Sequence, residues 1–160
     1  MANPVKKIPD GYSTVTPYLT IKGAAQAIDF YKQAFGAQEN MRLQAPDGSV
    51  MHAEIRIGDS VLMLHDEAPQ WQAFSPQALG GSPCSLMLYV DDVDACVQRA
   101  VEAGATLTMA VADQFYGDRA GGLKDPFGHK WHIATHVEDV SEQEVRRRAA
   151  KLFEGSNCAG

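Results

Sequence analysis

The sequence predicts an α+β fold in which two βαβββ modules pair and a C-terminal helix follows them. The first observation behind this prediction is that the order strand, helix, strand, strand, strand can be read twice along the 160 residues. The second is an offset of 69 positions (90 − 21), which places Ile21 on Val90 and also Gly48 on Gly117. Because one such module buries too little apolar surface alone, we expect the two to pack together.

The composition indicates one globular domain and excludes several classes of partner. Apolar residues make up 45% of the chain, which is enough for a core at this length. A formal net charge of −6 argues against binding to nucleic acid, whose phosphates require a basic surface. No apolar run approaches the roughly 18 residues that cross a bilayer, so we expect no membrane partner. Cys84, Cys96 and Cys158 are widely spaced and form no CxxC motif, which favours a reducing cytoplasm.

Residues 1–12 are predicted to form an extended N-terminal arm, and residues 13–66 the first module. The arm is rich in proline and lacks the apolar stretch of a secretory signal. In the module, the β-branched segment 13–21 predicts a strand, and an i, i+3, i+4 apolar stripe predicts a helix over 23–35 that ends at Gly36. Further strands are predicted at 39–44, 50–57 and 61–65.

Strict alternation in the strand 50–57 separates an apolar face from a polar one. The apolar face consists of Met51, Ala53, Ile55 and Ile57, and the polar face consists of His52, Glu54 and Arg56. Two interpretations of the polar face are open. It is either a solvated surface with cross-strand pairing or a polar wall of a ligand cavity.

Residues 67–83 are predicted to be a linker loop, because proline, glycine and aromatic residues occur there without a period. Its aromatic residues, Trp71 and Phe74, are candidates for a lid. The second module is predicted over 84–137, with strands at 85–90, 107–111, 122–123 and 131–136 and a helix over 92–103. Residues 138–160 are assigned to a C-terminal helix and tail, with a capping box at Ser141 and Glu144 and a solvated arginine triplet at 146–148.

Four segments carry a resemblance to a known family. Residues 28–36 read Ile-Asp-Phe-Tyr-Lys-Gln-Ala-Phe-Gly, and residues 125–131 read Asp-Pro-Phe-Gly-His-Lys-Trp. With the repeated element order, they resemble the glyoxalase/bleomycin-resistance/extradiol-dioxygenase group, the vicinal oxygen chelate superfamily. Residues 115–119, Phe-Tyr-Gly-Asp-Arg, and residues 51–54, Met-His-Ala-Glu, are most similar to its PhnB-like branch. The resemblance covers residues 13–140.

The resemblance implies a glyoxalase-like fold, in which the paired modules form an eight-stranded, open, cup-like sheet around a ligand cavity. It also implies a homodimer. In the metal-dependent members, the first and last strands of each module supply four ligands, and the corresponding positions here are Thr16, Met63, Ser85 and His132. Only His132 is a good ligand for a divalent metal, because hydroxyls bind such ions poorly and a thioether suits Cu(I). We therefore expect no conventional metal site and no cofactor.

A shifted metal site is the alternative to this expectation. His65 lies two residues after Met63 and shares its strand face, so His132 and His65 would hold a divalent metal with Asp66 or Glu67 nearby. In the competing interpretation, both histidines form hydrogen bonds at the wall of the cavity.

Eleven residues are predicted to line the ligand pocket: Thr16, Tyr18, His52, Met63, His65, Ser85, Met87, Tyr116, Arg119, Trp131 and His132. The guanidinium of Arg119 either pairs with nearby acids or binds a carboxylate or phosphate of the ligand. Tyr116 and Trp131 either line the cavity or fill the core.

The favoured functional hypothesis is a glyoxalase/bleomycin-resistance-like protein that binds a small organic ligand in the cup without a conventional metal. The alternative is a metal-dependent lyase or dioxygenase-like enzyme that uses the shifted site. A third hypothesis is a dimer module without a ligand. No GxGxxG, P-loop, GxSxG or HExxH motif occurs, so dinucleotide, nucleotide, hydrolase and zincin chemistry have no support, and no catalytic residue is assigned.

Overall fold

The computed structural model of the protein describes residues 5–156. Residues 1–4 of the predicted arm and 157–160 of the predicted tail, with Cys158, lie outside the described residues. The first module contains β1 (Tyr18–Ile21), α1 (Ala24–Phe35), β2 (Gln38–Gln44), β3 (Val50–Ile57) and β4 (Ser60–Asp66). The second contains β5 (Ser85–Tyr89), α2 (Val93–Glu102), β6 (Thr106–Asp113), β7 (Asp118–Lys124) and β8 (Lys130–His136), and α3 (Glu142–Ser156) follows.

The prediction of two βαβββ modules with a C-terminal helix is confirmed. The strands form two four-stranded sheets with the orders β1-β4-β3-β2 and β5-β8-β7-β6. In each sheet the first and last strands pair in parallel, and the remaining pairs are antiparallel. Tyr18 pairs with Met63 in the first sheet, and Met87 pairs with His132 in the second. Each residue of the second pair follows its counterpart in the first by the predicted 69 positions (87 − 18 and 132 − 63).

The two module helices are capped from the ends of their own sheets, at positions that the repeat makes equivalent. The Asp66 carboxylate at the end of β4 accepts the backbone N–H groups of Gly23, Ala24 and Val50 at 2.7–3.0 Å. Thr135 on β8 accepts the N–H of Val93 at 2.9 Å. Since the first N–H groups of a helix have no intrahelical partner, these bonds fix where each helix begins.

The core lies between the modules, where α1 packs against α2. The ring of Phe35 on α1 contacts Trp131 on β8 with centroids 4.7 Å apart. The buried carboxylate of Asp125 accepts hydrogen bonds from the Tyr31 hydroxyl at 2.7 Å and the Trp131 indole at 2.9 Å. The Asp-Pro-Phe-Gly-His loop of the second module is therefore anchored to the helix of the first.

Two predictions for the first module are wrong in detail. β1 begins at Tyr18 rather than at residue 13, because the Thr16 hydroxyl donates to the Ser13 carbonyl at 3.0 Å and turns the chain there. Met51 is 53% exposed, and Val50 takes the core position at the start of β3. A register shift between Leu43 and Gln44 on β2 moves the alternation by one residue at this end.

The strands around the predicted short segments 107–111 and 122–123 are longer than the sequence suggests. β7 runs through Gly121 and Gly122, and a Cβ at either would lie 2.8 Å from a β6 side chain, Val111 or Thr108. Glycine at these positions permits close approach of the two strands instead of ending one of them.

The loop between the modules contains a short 3₁₀ helix (Pro69–Trp71) and is anchored at its centre. Ser75 is fully buried, and its backbone N–H donates to the Glu67 carboxylate at 2.8 Å. Trp71 is 76% exposed, whereas Phe74 is partly covered and lines a cleft beside β1.

Helix α3 is held to the second module through one member of the predicted solvated triplet. Arg148 is partly buried, pairs with Glu138 at 2.7 Å and Glu144 at 2.8 Å, and donates to the Phe115 carbonyl at 3.3 Å. Arg146 and Arg147 are exposed, as predicted. Of the capping box, the bond from the Glu144 N–H to the Ser141 hydroxyl is present at 3.3 Å.

Acid should weaken the fold through His129, which is 91% buried at the contact between the modules; its Nε2 has no partner among the described residues. Burial lowers the pKa of His129 below its ordinary value of 6.5 despite the opposing Asp125 carboxylate. The imidazole of His129 therefore binds a proton more readily in the unfolded chain than in the folded protein, so the free energy of unfolding decreases as pH falls below about 6.5. The difference in unfolding free energy between wild type and His129→Asn should narrow from pH 7 to pH 5 in urea titrations. A constant difference would contradict this prediction.

Candidate ligand-binding site

Most of the predicted pocket residues lie on the two sheet faces that the module helices leave open. Each helix covers one face of its own sheet, and alternation places polar and large side chains on the other. The open face of the first sheet carries Tyr18, Thr20, His52, Glu54, Met63 and His65. That of the second sheet carries Ser85, Met87, Tyr89 and His132.

A chain of hydrogen bonds crosses the open face of the first sheet. The Tyr18 hydroxyl lies 2.8 Å from Nδ1 of His52, and Nε2 of His52 lies 3.2 Å from the Glu54 carboxylate. An ionised carboxylate only accepts, so Nε2 of His52 donates to Glu54. The polar row on β3 is therefore part of an ordered network.

His65 is oriented by two hydrogen bonds beside this chain. Its Nε2 lies 3.1 Å from the Thr20 hydroxyl, and its Nδ1 lies 2.7 Å from the Asp66 carbonyl oxygen. The ring also contacts Tyr18 edge-on, with centroids 5.0 Å apart. Because a backbone carbonyl only accepts, the Nδ1 of His65 carries the proton, and Nε2 accepts from Thr20.

The N-terminal arm covers one end of the network. The Tyr12 hydroxyl donates a short hydrogen bond to the Glu54 carboxylate. Between the arm and the sheet lies a cleft of about 440 Å³, whose walls include Tyr12, Thr16, Glu54 and Met63. A cleft of this volume is the size of those that hold small organic ligands.

The electrostatics of the cleft centre on Glu54. The hydrogen bond from Tyr12, more than that from His52, lowers the pKa of Glu54 against the opposing effect of burial. The same bond raises the pKa of Tyr12, and burial followed by the Glu54 charge raises that of Tyr18. At neutral pH the site therefore presents an ionised carboxylate and two protonated phenols.

The second sheet presents a separate polar cluster at the far end of its open face. The buried carboxylate of Asp118 accepts the Tyr89 hydroxyl at 2.9 Å and lies 2.7 Å from Nδ1 of His136. Nε2 of His136 lies 3.0 Å from Asp139, and this bond, with that to Asp118, raises the pKa of His136. Met87 and His132 lie beside each other in the middle of the same face.

Besides Thr16, which precedes β1, three of the predicted pocket residues lie away from these open faces. Trp131 lies on the opposite face of β8 from His132 and is only 3% exposed. Of its two interpretations, lining the cavity or filling the core, the structure therefore supports the core. Arg119 binds Asp94 on α2 through two bonds of 2.7 and 2.8 Å and pairs with Asp113 at 3.0 Å. Tyr116 lies in the turn between β6 and β7 and packs against Phe115.

The residues at the superfamily's metal positions do not fit a divalent ion. Thr16, Met63 and Ser85 contribute two hydroxyls and a thioether, and the Thr16 hydroxyl is directed to the Ser13 carbonyl. Within residues 5–156, no group of three His, Cys, Asp or Glu side chains has the geometry of a metal site.

Sequence reasoning did not include Tyr12 and Glu54 among the pocket residues. Glu54 was visible as part of the polar row on β3, which marked it as a candidate. Tyr12 makes its contact across 42 positions from an arm without periodicity, so no local pattern indicates it.

The fold and the open faces define a class of proteins built from two βαβββ modules. The sequence profile of the Glyoxalase/Bleomycin resistance protein/Dioxygenase superfamily matches residues 14–133. The chain therefore belongs to this superfamily.

Similar proteins span nearly the whole chain. An uncharacterized protein of Mycobacterium tuberculosis is 42% identical over 144 residues, which cover 88% of this chain and 85% of that protein. The crystal structure of an Arabidopsis thaliana gene product is 28% identical, with a TM-score of 0.63, and covers 77% of this chain and 98% of its own. A putative 3-demethylubiquinone-9 3-methyltransferase, PhnB protein, from Bacillus cereus is 18% identical with a TM-score of 0.61, over 77% of this chain and 99% of its own, and shows the fold alone.

In the described part of the chain, no helix is both long and apolar enough to cross a membrane.

Proposed function

We propose that the protein binds a small organic ligand in the cleft between the N-terminal arm and the open face of the first sheet. The observation that carries this proposal is a 440 Å³ cleft lined by Tyr12 and Glu54, from which a hydrogen-bonded network continues through His52 to Tyr18 on the sheet. Oriented polar groups in a concave, partly apolar surface are the usual features of a ligand site. Sequestration of a ligand involves no catalysed reaction, so the proposed function requires no catalytic residue or cofactor.

The second sheet is assigned a role in a homodimer. Its open face exposes Met87, Tyr89 and His132, which makes this face the surface proposed for contact with a partner subunit. The free thiols of Cys84 and Cys96 suit a reducing compartment, so we place this dimer in the cytoplasm. We further propose that the protein belongs to the PhnB-like branch, which the residue motifs at 51–54 and 115–119 support.

The hydrogen-bonded interpretation of the histidines is favoured over the metal-dependent enzyme. Both ring nitrogens of His65 are within hydrogen-bond distance of oxygen atoms of the protein. The acids that would complete a shifted site with His132 are directed elsewhere, since Asp66 caps α1 and Glu67 accepts from Ser75.

Filling the cleft should abolish ligand binding. We expect a thermal-shift screen of small organic compounds to yield stabilising ligands whose affinity falls at least about tenfold in Met63→Trp, because the indole occupies the cleft. Met51→Trp places the same side chain at an exposed position of the same sheet and should bind normally. Ligands that bind Met63→Trp as tightly as wild type, or a screen without ligands, would contradict the proposal.

A further inference from the structure

The Glu54 carboxylate lacks a permanent cationic partner. Its side chain is only 12% exposed, and the structure pairs it with His52, a group that is charged only when protonated. Within residues 5–156, no lysine or arginine forms an ion pair with it. A carboxylate removed from water is costly to keep ionised unless an opposite charge is close.

The protons of the network all point toward this carboxylate. Tyr12 donates to Glu54, and Nε2 of His52 donates to Glu54. Besides the hydroxyls of Ser13, Thr14 and Thr16, which also line the cleft, the lone pairs of the Tyr12 oxygen and of the carboxylate are the polar groups left for a ligand at Glu54. They are acceptors, so the site selects a hydrogen-bond donor or a cation over an anion.

Aromatic side chains add to the preference for positive charge. The ring of Tyr18 stands edge-on to the rings of His52 and His65, with centroids 5.5 and 5.0 Å away. Tyr12 lines the cleft itself. The negative faces of phenol rings attract cations, most strongly where water is excluded.

Two basic residues near the cleft oppose this charge pattern in part. The charge of Arg56 lowers the pKa of Tyr12, against the larger effects of Glu54 and burial that raise it, while its Nη1 donates to the Asp59 carbonyl at 3.3 Å. Lys7 belongs to the arm, lines the cleft and is exposed to solvent.

We infer that the ligand of this cleft carries a positively charged nitrogen, an ammonium group, which binds at Glu54 beside Tyr12. This inference rests on the proposed ligand-binding function and names the chemical class of the ligand.

The test compares a cationic probe with its neutral carbon isostere. Choline and 3,3-dimethylbutan-1-ol have the same shape and differ in the charge of one atom, so their affinities isolate the charge. Amide chemical shifts of isotope-labelled protein are followed at about pH 8, where an ordinary imidazole is neutral. Choline should shift the amides of residues 12, 18, 54 and 63, and its affinity should exceed that of the alcohol by about tenfold or more.

Glu54→Gln should remove this discrimination, because it keeps the shape of the side chain and removes the charge. Glu39→Gln is the matched control: it makes the same change in the same sheet at a glutamate already paired with Lys32 and Arg42, and should retain discrimination. Equal affinities for the two probes, or a preference for choline that persists in Glu54→Gln, would overturn the cationic ligand while leaving the cleft as a ligand site. The cationic ligand would also be overturned if the compounds whose binding Met63→Trp blocks were all neutral or anionic. If no compound binds in the cleft, both the cationic ligand and the proposed ligand-binding function are overturned.

Discussion

Replacing Asp125 by alanine should destabilise the protein by about 3–5 kcal/mol. Its carboxylate is 3% exposed and accepts four hydrogen bonds, from the Tyr31 hydroxyl, the Trp131 indole and the backbone N–H groups of Phe127 and His129. Burial, together with the charge of this carboxylate, raises the pKa of Tyr31 well above its ordinary value. The substitution leaves these donors without an acceptor in the core between the modules, and urea unfolding measures the loss.

The matched control for this experiment is Asp47→Ala. Asp47 also accepts hydrogen bonds within a Pro-containing turn, from Ser49, but it is exposed at the tip of the first module. Water replaces its bonds, so we expect a loss below about 1 kcal/mol. Similar losses for the two variants would show that Asp125 does not hold the modules together.

Gly117→Ala should be the second severely destabilising change, at about 3 kcal/mol or more. The residue has φ +101°, and an added Cβ would lie 2.1 Å from the Glu138 carbonyl oxygen and 2.9 Å from Val140. A backbone movement that relieved this steric overlap would be costly, because the Gly117 carbonyl accepts the N–H groups of Val137 and Glu138, each at 2.9 Å. Thermal and urea unfolding should both report the loss.

Gly48→Ala provides the control at the equivalent position of the repeat. Gly48 has φ +85°, and nothing lies within 4 Å of its Cβ position, so the substitution carries only the cost of the backbone conformation, about 1–2 kcal/mol. The difference between the two variants isolates the steric contact with the segment that leads to α3. Equal destabilisation by Gly117→Ala and Gly48→Ala would mean that the segment at Glu138 and Val140 moves aside at little energetic cost.

The periodic parts of the chain were predictable, whereas the network at the candidate site was not. The stripe of α1, the stop at Gly36 and the alternation of β3 follow from local spacing, and the offset of 69 correctly aligned Tyr18–Met63 with Met87–His132. Arg119 illustrates the limit, since its two interpretations could be separated only by the position of Asp94 on a helix 25 residues away. The function of the polar row on β3 likewise depended on Tyr12, which no pattern in the arm connects to Glu54.

The sequence by itself determined the two-module architecture, because hydrophobic periodicity and glycine or proline at turns act within a few residues of the chain. The long-range contacts were decided only by the tertiary structure, since a hydrogen bond between distant residues leaves no local signature. Asp125 shows this difference clearly. As part of Asp-Pro-Phe-Gly it reads as a turn residue, and packing of α1 against the second module makes it the acceptor that joins the two halves. The same packing directs Trp131 into the core and leaves Glu54, on the opposite face of its own sheet, as the partly buried charge of the proposed ligand site.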